Sequence, residues 1–268
     1  MTESFPERLQ SLTAERGQLC VGIDPHVSML EAWGLPATVE GLEKCVRAML
    51  DATVGAVAVV KPNSAAFEVF GAAGIAVLER AIAELRESGV LVLLDVKRGD
   101  IGISMDDYAR AYLEEGAPLS VDAITVNPFL GIGSLKPAME RARDNGRGLY
   151  VLCRTSNPEG GQVQTAWAGK YSVAERIVQE VLEANRPDIF GPFGLVVGAT
   201  LPELDVDLAE FNGSILAPGI GAQGATLEGV RELFGELYPK VLPTASRAVM
   251  QSGPDVSALT EAIDALRG

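Results

Sequence analysis

The chain has 268 residues, of which 47% are apolar, and this is enough for one large hydrophobic core. The formal net charge of −14 opposes broad attraction to nucleic acid or to an anionic membrane surface, because both require a positive field. No apolar run approaches the roughly 20 residues that span a bilayer, and the start, MTESFPERLQ, does not resemble a signal peptide, so we expect a cytoplasmic protein.

The small supply of cysteine and histidine excludes several enzyme classes. The 3 cysteines lie at positions 20, 45 and 153 without CxxC spacing, so we expect free thiols. His26 is the only histidine of the chain. Almost nothing is therefore available to build a His/Cys zinc cluster or a Ser-His-Asp triad.

Short apolar runs alternate with longer segments of helical period along the whole chain, as in repeated β-α units around a parallel sheet. We predict the α/β class and a (β/α)₈ TIM barrel as a single domain over residues 1–268. A doubly wound open sheet is the alternative that periodicity leaves open. The eight predicted strands are 19–23, 57–60, 90–96, 123–126, 148–153, 193–197, 214–217 and 241–245.

Helices are predicted between these strands, with one extra helix at 5–16 before the first. Between the second and third runs, Ile75, Leu78 and Ile82 form an apolar face, and Gly89 is expected to end that helix. The long stretch 154–169 is rich in Gly, Asn and Gln and is a candidate lid. The other predicted helices are 38–52, 104–115, 132–144, 170–185, 201–211, 226–237 and 255–267.

Polar, charged or glycine-rich residues follow nearly every apolar run. In a (β/α)₈ barrel the carboxyl ends of the strands meet at one face, where active sites are built. We therefore expect the site to be formed by the residues at these ends: Asp24, Lys61, Asp95, Lys97, Asn127, residues 154–156, residues 218–224 and residues 246–247.

The stretch Asp95-Val96-Lys97-Arg98-Gly99-Asp100 carries several of these charges. Side chains at i and i+2 of a strand point the same way, so Asp95 and Lys97 are expected to face the barrel mouth together. With Lys61 and Asp100 they would form a cluster of two cations and two carboxylates, in which buried ions neutralise each other. The alternative is a solvated strand end with ordinary surface ion pairs.

The loop after the seventh run matches the spacing of a dinucleotide fingerprint, with Gly219, Gly221 and Gly224. That interpretation needs an acidic residue about 20 residues later, but residues 237–254 contain no Asp or Glu. Together with Ser246-Arg247 after the eighth run, the glycines instead favour a phosphate site, where backbone N–H groups and one cation hold the dianion. A plain glycine-rich turn is the alternative.

Three other residues invite a functional role but are expected to be structural. His26 follows Asp24-Pro25 in a loop, and we expect a surface or capping residue rather than a ligand or an acid/base group. Trp33 and Trp167 are expected to pack rather than to stack on a substrate.

At these motifs the chain resembles the orotidine 5′-phosphate decarboxylase family, in particular its bacterial branch with an Asp-x-Lys-Arg-Gly-Asp-Ile-Gly motif. The resemblance extends over nearly the whole chain. The matching stretches are residues 22–26, 61–63, 95–102, 125–128, 154–160, 217–224 and 246–247.

The resemblance implies a cofactor-free lyase that converts orotidine 5′-monophosphate to uridine 5′-monophosphate and CO₂ in pyrimidine biosynthesis. It implies that Lys97 donates the proton to C6, that Asp95 lies beside the departing CO₂, and that Lys61 holds the charge network. Asp100 and Ile101 match residues that reach into the partner subunit's site, so the resemblance also implies a homodimer with shared active sites.

The resemblance further implies a set of substrate-binding residues. Asp24 matches a contact to the ribose hydroxyls, Ser156 a contact to the pyrimidine, and Gln223 a lid residue that reaches the phosphate. Arg247 matches the arginine that binds the phosphate. Ser104 stands where the family usually has threonine, and the hydroxyl is kept.

Two rival functions remain at this point. The first is a related sugar-phosphate decarboxylase that works through an enediolate on Mg²⁺, but such enzymes carry an acidic metal ligand where this chain has Lys61. The second is a non-catalytic protein that binds pyrimidine nucleotides, against which the presence of Asp95, Lys97 and Asp100 argues.

Overall fold

Eight parallel strands close into a barrel in the computed structural model, which describes residues 3–267. Each strand pairs with the next along the chain and the last pairs with the first, which confirms the predicted (β/α)₈ barrel over the open sheet. The strands are β1 (Cys20–Ile23), β2 (Val59–Pro62), β3 (Leu91–Arg98), β4 (Ala123–Val126), β5 (Gly148–Arg154), β6 (Phe193–Val197), β7 (Ile215–Pro218) and β8 (Val241–Ala245).

Helices connect most of the strands and cover the outside of the barrel. Among residues 3–267, none is long and apolar enough to cross a membrane. The helices are α1 (Phe5–Arg16), α2 (Val27–Ala32), α3 (Val39–Thr53), α4 (Ser64–Glu68), α5 (Gly71–Glu87), α6 (Gly102–Leu113), α7 (Lys136–Asp144), α8 (Gly161–Gln164), α9 (Val173–Asn185), α10 (Leu227–Phe234), α11 (Arg247–Met250) and α12 (Val256–Arg267). Short 3₁₀ turns lie at Ile132–Leu135, Pro158–Gly160 and Gly235–Lys240.

The predicted extra helix, α1, closes the base of the barrel. Its residues Phe5 and Leu9 are buried in the same cluster as interior strand residues such as Tyr150. The Phe5 and Tyr150 rings meet edge to face, with centroids 6.2 Å apart. The base is therefore plugged by apolar side chains, which leaves the opposite end of the barrel for chemistry.

The prediction of a helix at 201–211 is wrong. The connection from β6 to β7 contains no helix within residues 198–214. Leu201, Leu208 and Phe211 have helical spacing, but Val206 and Leu208 are both buried while Asp207 between them is exposed. An extended segment satisfies that alternation and a helix does not, so burial overrides the periodicity.

Two other helices are shorter than predicted. The helix predicted at 170–185 begins only at Val173, where Ser172 and Glu175 form a capping box. The residues before it form a small hairpin with strands Trp167–Ala168 and Tyr171–Ser172. The helix predicted at 226–237 ends at Phe234, because Gly235 has a φ of 50°.

Candidate active site

The charged residues at the ends of β2 and β3 meet at the mouth of the barrel. The Asp95 carboxylate lies between two ammonium groups, with Lys61 Nζ 3.0 Å from Oδ2 and Lys97 Nζ 2.5 Å from Oδ1. The exposed fractions of the side chains are 6% for Lys61, 12% for Asp95 and 50% for Lys97. The expected ion cluster is therefore present, and Lys97 is its only solvent-facing cation.

Each charged group of the cluster favours the charged form of its neighbour. Burial opposes the charge on Lys61, but the Asp95 carboxylate, with help from Asp24, outweighs burial and raises the pKa of Lys61. Burial likewise opposes the charge on Asp95, but Lys61 and Lys97 outweigh it and hold the pKa of Asp95 well below its ordinary value. Asp95 is thus a permanent carboxylate between two lysines.

The backbone of β3 is irregular at the cluster. Asp95 and Lys97 do contact each other, but the prediction that they do so because they alternate on a regular strand is wrong. The pairing of β3 with β4 shifts register between Leu94 and Arg98. Lys97 lies in this irregular segment with a φ of 45° and is the only non-glycine residue with positive φ among residues 3–267. Such a conformation costs about 1–3 kcal/mol and persists only where its surroundings enforce it.

Thr125 on β4 is a site residue to which the sequence motifs assign no role. Its side chain is almost completely buried and donates a hydrogen bond to Asp95 Oδ1 over 2.8 Å. A polar residue inside an apolar strand, at the same barrel end as Asp95, is the signal that could have identified it. Its hydroxyl also contacts the irregular backbone of β3.

The expected fourth member of the cluster, Asp100, lies outside it. Its Oδ1 accepts the backbone N–H of Ile101 over 2.8 Å, and within the described part of the chain it forms no ion pair. Ile101 and Ser104 are also exposed beside it at the start of α6. Gly99 allows the chain to turn here, because a Cβ at this position would lie 2.3 Å from the Asn127 carbonyl oxygen.

The glycine loop after β7 has the conformation expected of a close-approach site. Gly219, Gly221 and Gly224 all have positive φ, at 134°, 73° and 96°. A Cβ on Gly221 would lie 2.5 Å from the Cβ of Ala248 in α11, so this loop packs directly against the segment that carries Arg247. Arg247 is exposed and, among residues 3–267, its guanidinium has no carboxylate within 4.0 Å.

A cavity of about 370 Å³ connects Lys61 of the charged cluster to this loop. Asp24 lies in its wall, and the buried Oδ1 of Asp24 has no hydrogen-bond partner among the described residues. An orphaned carboxylate oxygen is costly unless a donor reaches it, which suits a ligand hydroxyl. The lining residues are Asp24, His26, Ser28, Lys61, Pro218, Gly219, Ile220, Ala222, Gln223, Thr244, Ser246 and Arg247.

The segment after β5 is linked to the glycine loop by one polar contact. Ser156 Oγ donates to Gln223 Oε1 over 3.2 Å, so two expected substrate contacts already touch each other. An ion pair also fixes this segment, because the Arg154 guanidinium binds the carboxylate of Asp205 at 3.0 Å. The β6–β7 connection thus places Asp205 in an irregular segment that braces the end of β5.

Four other candidate residues lie outside the charged cluster: His26, Trp33, Trp167 and Asn127. His26 is exposed at the start of α2, and its side chain forms no capping bond. Trp33 is a packing residue as expected, with Nε1 donating to the Met250 carbonyl over 2.7 Å. The expectation for Trp167 is wrong, because its side chain is 75% exposed. Asn127 Oδ1 accepts the backbone N–H of Phe129, and this bond shapes the loop after β4.

A larger cavity of about 630 Å³ has Lys97 in its wall. It lies between α9, the segment after β5 and the loop after β4, and its walls are mainly apolar. Of the charged cluster, Lys97 lines this cavity and Lys61 lines the smaller one, so the cluster lies between the two. Among the residues that the structure describes, no three His, Cys, Asp or Glu side chains are grouped so that they could hold a metal ion.

Comparisons with known proteins give one consistent result. A family model described as Orotidine 5′-phosphate decarboxylase / HUMPS family matches residues 17–262. Relatives named orotidine 5′-phosphate decarboxylase include one from Salinispora arenicola, 53% identical, and one from Streptomyces coelicolor, 50% identical. Each of these alignments extends over 264 residues and covers 98% of this chain and 95% of the relative.

Solved structures agree with the sequence relatives. The crystal structure of a Streptomyces avermitilis protein is 50% identical and has a TM-score of 0.96, covering 99% of this chain and 94% of its own. The OMP decarboxylase of Leishmania donovani is 32% identical, with a TM-score of 0.76 and coverage of 98% and 99%. The similarity therefore extends over the entire barrel.

Proposed function

The chain belongs to the orotidine 5′-phosphate decarboxylase family, and from this membership we propose how its residues convert orotidine 5′-monophosphate to uridine 5′-monophosphate and CO₂. The observation that carries the proposal is the cavity of about 370 Å³, whose walls join Lys61 and Asp24 to the glycine loop and Arg247. Lys61 thus connects this cavity to the charged cluster that would act on the base, and Arg247 offers it a cation for the phosphate.

Lys97 is the residue that we assign to proton transfer. When the bond from C6 to the carboxylate breaks, its electron pair stays on C6, and CO₂ departs without an organic cofactor to accept that charge. The Lys97 ammonium stabilises the developing carbanion and then gives its proton to C6, which leaves a neutral amine for solvent to reprotonate. Its 2.5 Å contact with Asp95 holds the donor in place before the substrate enters.

Asp95 and Lys61 set the electrostatics around that donor. Asp95 is a carboxylate under all ordinary conditions, and a substrate carboxylate beside it would be repelled until it leaves as neutral CO₂. Lys61 is nearly completely buried and stays charged because Asp95 is 3.0 Å away. We infer that Lys61 keeps Asp95 fixed while Lys97 moves through its proton transfer.

Substrate binding is assigned to groups along the cavity. Asp24 has a free buried oxygen for a ribose hydroxyl, and Arg247 has no carboxylate partner within the described residues, so it is available to a phosphate dianion. Ser156 and Gln223 already touch, and a pyrimidine could replace that contact while residues 154–169 and the glycine loop close over the site. Remote binding of the phosphate would then contribute to the transition state.

A homodimer with shared sites is the second part of the proposal. Four large apolar side chains around the ends of β3 and β4 are more than half exposed: Ile101, Ile103, Phe129 and Leu130. Exposed apolar patches often mark interfaces, and we propose that the partner subunit covers these four side chains. In its own chain Asp100 accepts one backbone N–H and forms no ion pair among residues 3–267, which leaves it free to meet a partner's Lys97.

The proposed activity is tested by mixing EDTA-treated protein with orotidine 5′-monophosphate and following the loss of orotate absorbance. Turnover without added metal is the expected result. Absence of turnover would exclude the decarboxylase assignment, and turnover only after addition of Mg²⁺ would favour the metal-dependent rival. Tight nucleotide binding without turnover would favour the non-catalytic rival.

The shared site is tested by complementation between Lys97→Ala and Asp100→Ala subunits. Each variant alone is expected to be nearly inactive. After the two are unfolded together and refolded in equal amounts, half of the dimers should be mixed, and one of the two sites in each should be intact. Activity should then return to about one quarter of the wild-type value. No recovery, when an affinity tag on the Lys97→Ala subunit co-purifies the untagged Asp100→Ala subunit, would place Asp100 in its own subunit's site.

A further inference from the structure

Thr125 fills an irregularity between β3 and β4 that the charged cluster depends on. The paired register runs from Leu94 to Arg98 on β3 but only from Ile124 to Val126 on β4, so Thr125 stands alone opposite the extra residues. Its Oγ1 accepts the backbone N–H groups of Val96 over 3.1 Å and of Lys97 over 2.9 Å. The hydroxyl thus replaces the strand partner that these two donors would otherwise have.

The same hydroxyl also orients the carboxylate. It donates its proton to Asp95 Oδ1 over 2.8 Å, and this is the oxygen that Lys97 Nζ contacts at 2.5 Å. A hydroxyl has one proton and two lone pairs, and all three are used here. Thr125 therefore binds the backbone of Lys97 on one side and the carboxylate that holds the Lys97 ammonium on the other.

We propose that Thr125 is a positioning residue for the decarboxylation, and that its hydroxyl holds Lys97 in its unusual backbone conformation so that the ammonium and Asp95 are aligned before substrate binds. This proposal rests on the proposed function, because its kinetic test measures the decarboxylation. The side chain is 1% exposed and contacts neither cavity, so it acts only through Asp95 and Lys97. Without it, the two backbone donors would be buried without an acceptor, and Lys97 would relax to negative φ.

The test uses three variants of similar size. Thr125→Val removes the hydroxyl and keeps the shape, Thr125→Ser keeps the hydroxyl, and Thr53→Val is the matched control. Thr53 is 0% exposed and donates to the Met49 carbonyl over 2.7 Å within α3, remote from the cluster. We measure kcat, KM and the thermal midpoint of each, and the φ of Lys97 in a crystal structure of Thr125→Val.

Misplacement of the Lys97 ammonium by about 1 Å should lower kcat of Thr125→Val on the order of 100-fold. KM should change little, because the phosphate and ribose contacts are made by other residues. Thr125→Ser should recover kcat to within about 3-fold of wild type, and Thr53→Val should retain it. In the crystal structure of Thr125→Val, Lys97 should have left the positive-φ region.

The proposal is overturned by near-normal kcat in Thr125→Val, or by equal losses in Thr125→Val and Thr53→Val that follow their thermal midpoints. If Thr125→Val does not fold, Thr125→Ala supplies a second variant without the hydroxyl, to be judged by the same criteria. If the wild-type protein itself shows no turnover, the proposed function fails. The positioning role is then decided by the φ of Lys97, since an unchanged positive value without the hydroxyl contradicts it.

Discussion

The two ends of the barrel each hold a carboxylate between two cationic side chains, but the cations differ in kind. At the mouth, Asp95 lies between Lys61 and Lys97, at 3.0 and 2.5 Å. At the base, Asp122 lies between two arginines and is only 2% exposed. The same charge pattern thus occurs twice, once in a candidate active site and once beneath the core.

The base cluster has the geometry of a brace. Asp122 Oδ1 accepts from Arg8 at 2.6 Å and from Arg147 at 3.1 Å, while Oδ2 accepts the backbone N–H of Val92 over 2.8 Å. Arg147 also contacts Glu115, which extends the network towards the surface. The carboxylate therefore ties α1, β3 and the segment before β5 together through fixed bonds.

The difference between the two clusters lies in what the cations can do. Guanidinium groups keep their proton under all ordinary conditions and hold carboxylates in a rigid fork, which suits a structural role. An ammonium group can transfer a proton, and Lys97 adds half-exposed access and an unusual backbone conformation. The comparison predicts that damage at the mouth removes activity and that damage at the base removes stability.

The largest expected effect follows from Lys97→Ala. Loss of the donor and of its electrostatic stabilisation should lower kcat on the order of 10⁴-fold or more. The free energy of unfolding should change little, because Lys97 is half exposed and Asp95 keeps Lys61. Steady-state kinetics and urea denaturation measure the two quantities. Lys97→Arg keeps the positive charge without a transferable proton, so it should be nearly as inactive.

Lys136→Ala, an exposed lysine on α7, is the matched control for this prediction and should behave like wild type. If Lys97→Arg retained substantial activity, charge alone would be sufficient at this position. The distinction between lysine at the mouth and arginine at the base would then lose its functional meaning.

The next effect is on stability and follows from Asp122→Asn. Removing this charge leaves the buried Arg147 with only the exposed Glu115 as an anionic partner, and the free energy of unfolding should fall by about 3–5 kcal/mol. In the fraction that remains folded, kcat should stay within about 2-fold of wild type, because the base does not touch the cavity. Urea denaturation and kinetics at low temperature check both statements.

Asp264→Asn on the exposed face of α12 is the matched control and should change neither quantity. A loss of kcat in Asp122→Asn comparable with that in Asp95→Asn, at equal folded fraction, would show that the two ends of the barrel are coupled.

Much of this fold could be predicted because its strands are buried on both faces. Continuous apolar runs identified β4, β6 and β8 with correct bounds, and the alternation with helices identified the barrel. The connection from β6 to β7 could not be predicted in the same way, since its apolar residues have helical spacing. Only the tertiary contacts of Val206 and Asp205 favour an extended segment there.

The site was predictable to a similar extent. Charged residues at strand ends indicated that Asp95, Lys61 and Lys97 meet, and the structure places them in contact. The fourth expected member, Asp100, stays apart, because Gly99 lets the chain pass close to Asn127, and the spacing of the charges does not show in which direction it then continues. The register shift of β3 could not be predicted either, since the alternation of side chains assumes a regular strand. The role of Thr125 depends on that shift.

The smallest expected effect concerns pH and asks whether the mouth keeps its charges as firmly as the base. The stabilising contribution of Asp95 is present above its ordinary pKa of 3.8 and is lost only as pH falls through the lowered folded value. That of Lys61 is present below its ordinary pKa of 10.5 and is lost only as pH rises through the raised folded value. The difference in unfolding free energy between wild type and Asp95→Asn should therefore stay constant within about 0.5 kcal/mol from about pH 6 to about pH 9. Urea denaturation across this range, with Asp264→Asn as baseline, measures it. A difference that shrinks towards pH 9 would mean that Lys61 gives up its proton in Asp95→Asn, where the carboxylate no longer offsets its burial, so that the charge at the mouth depends on Asp95.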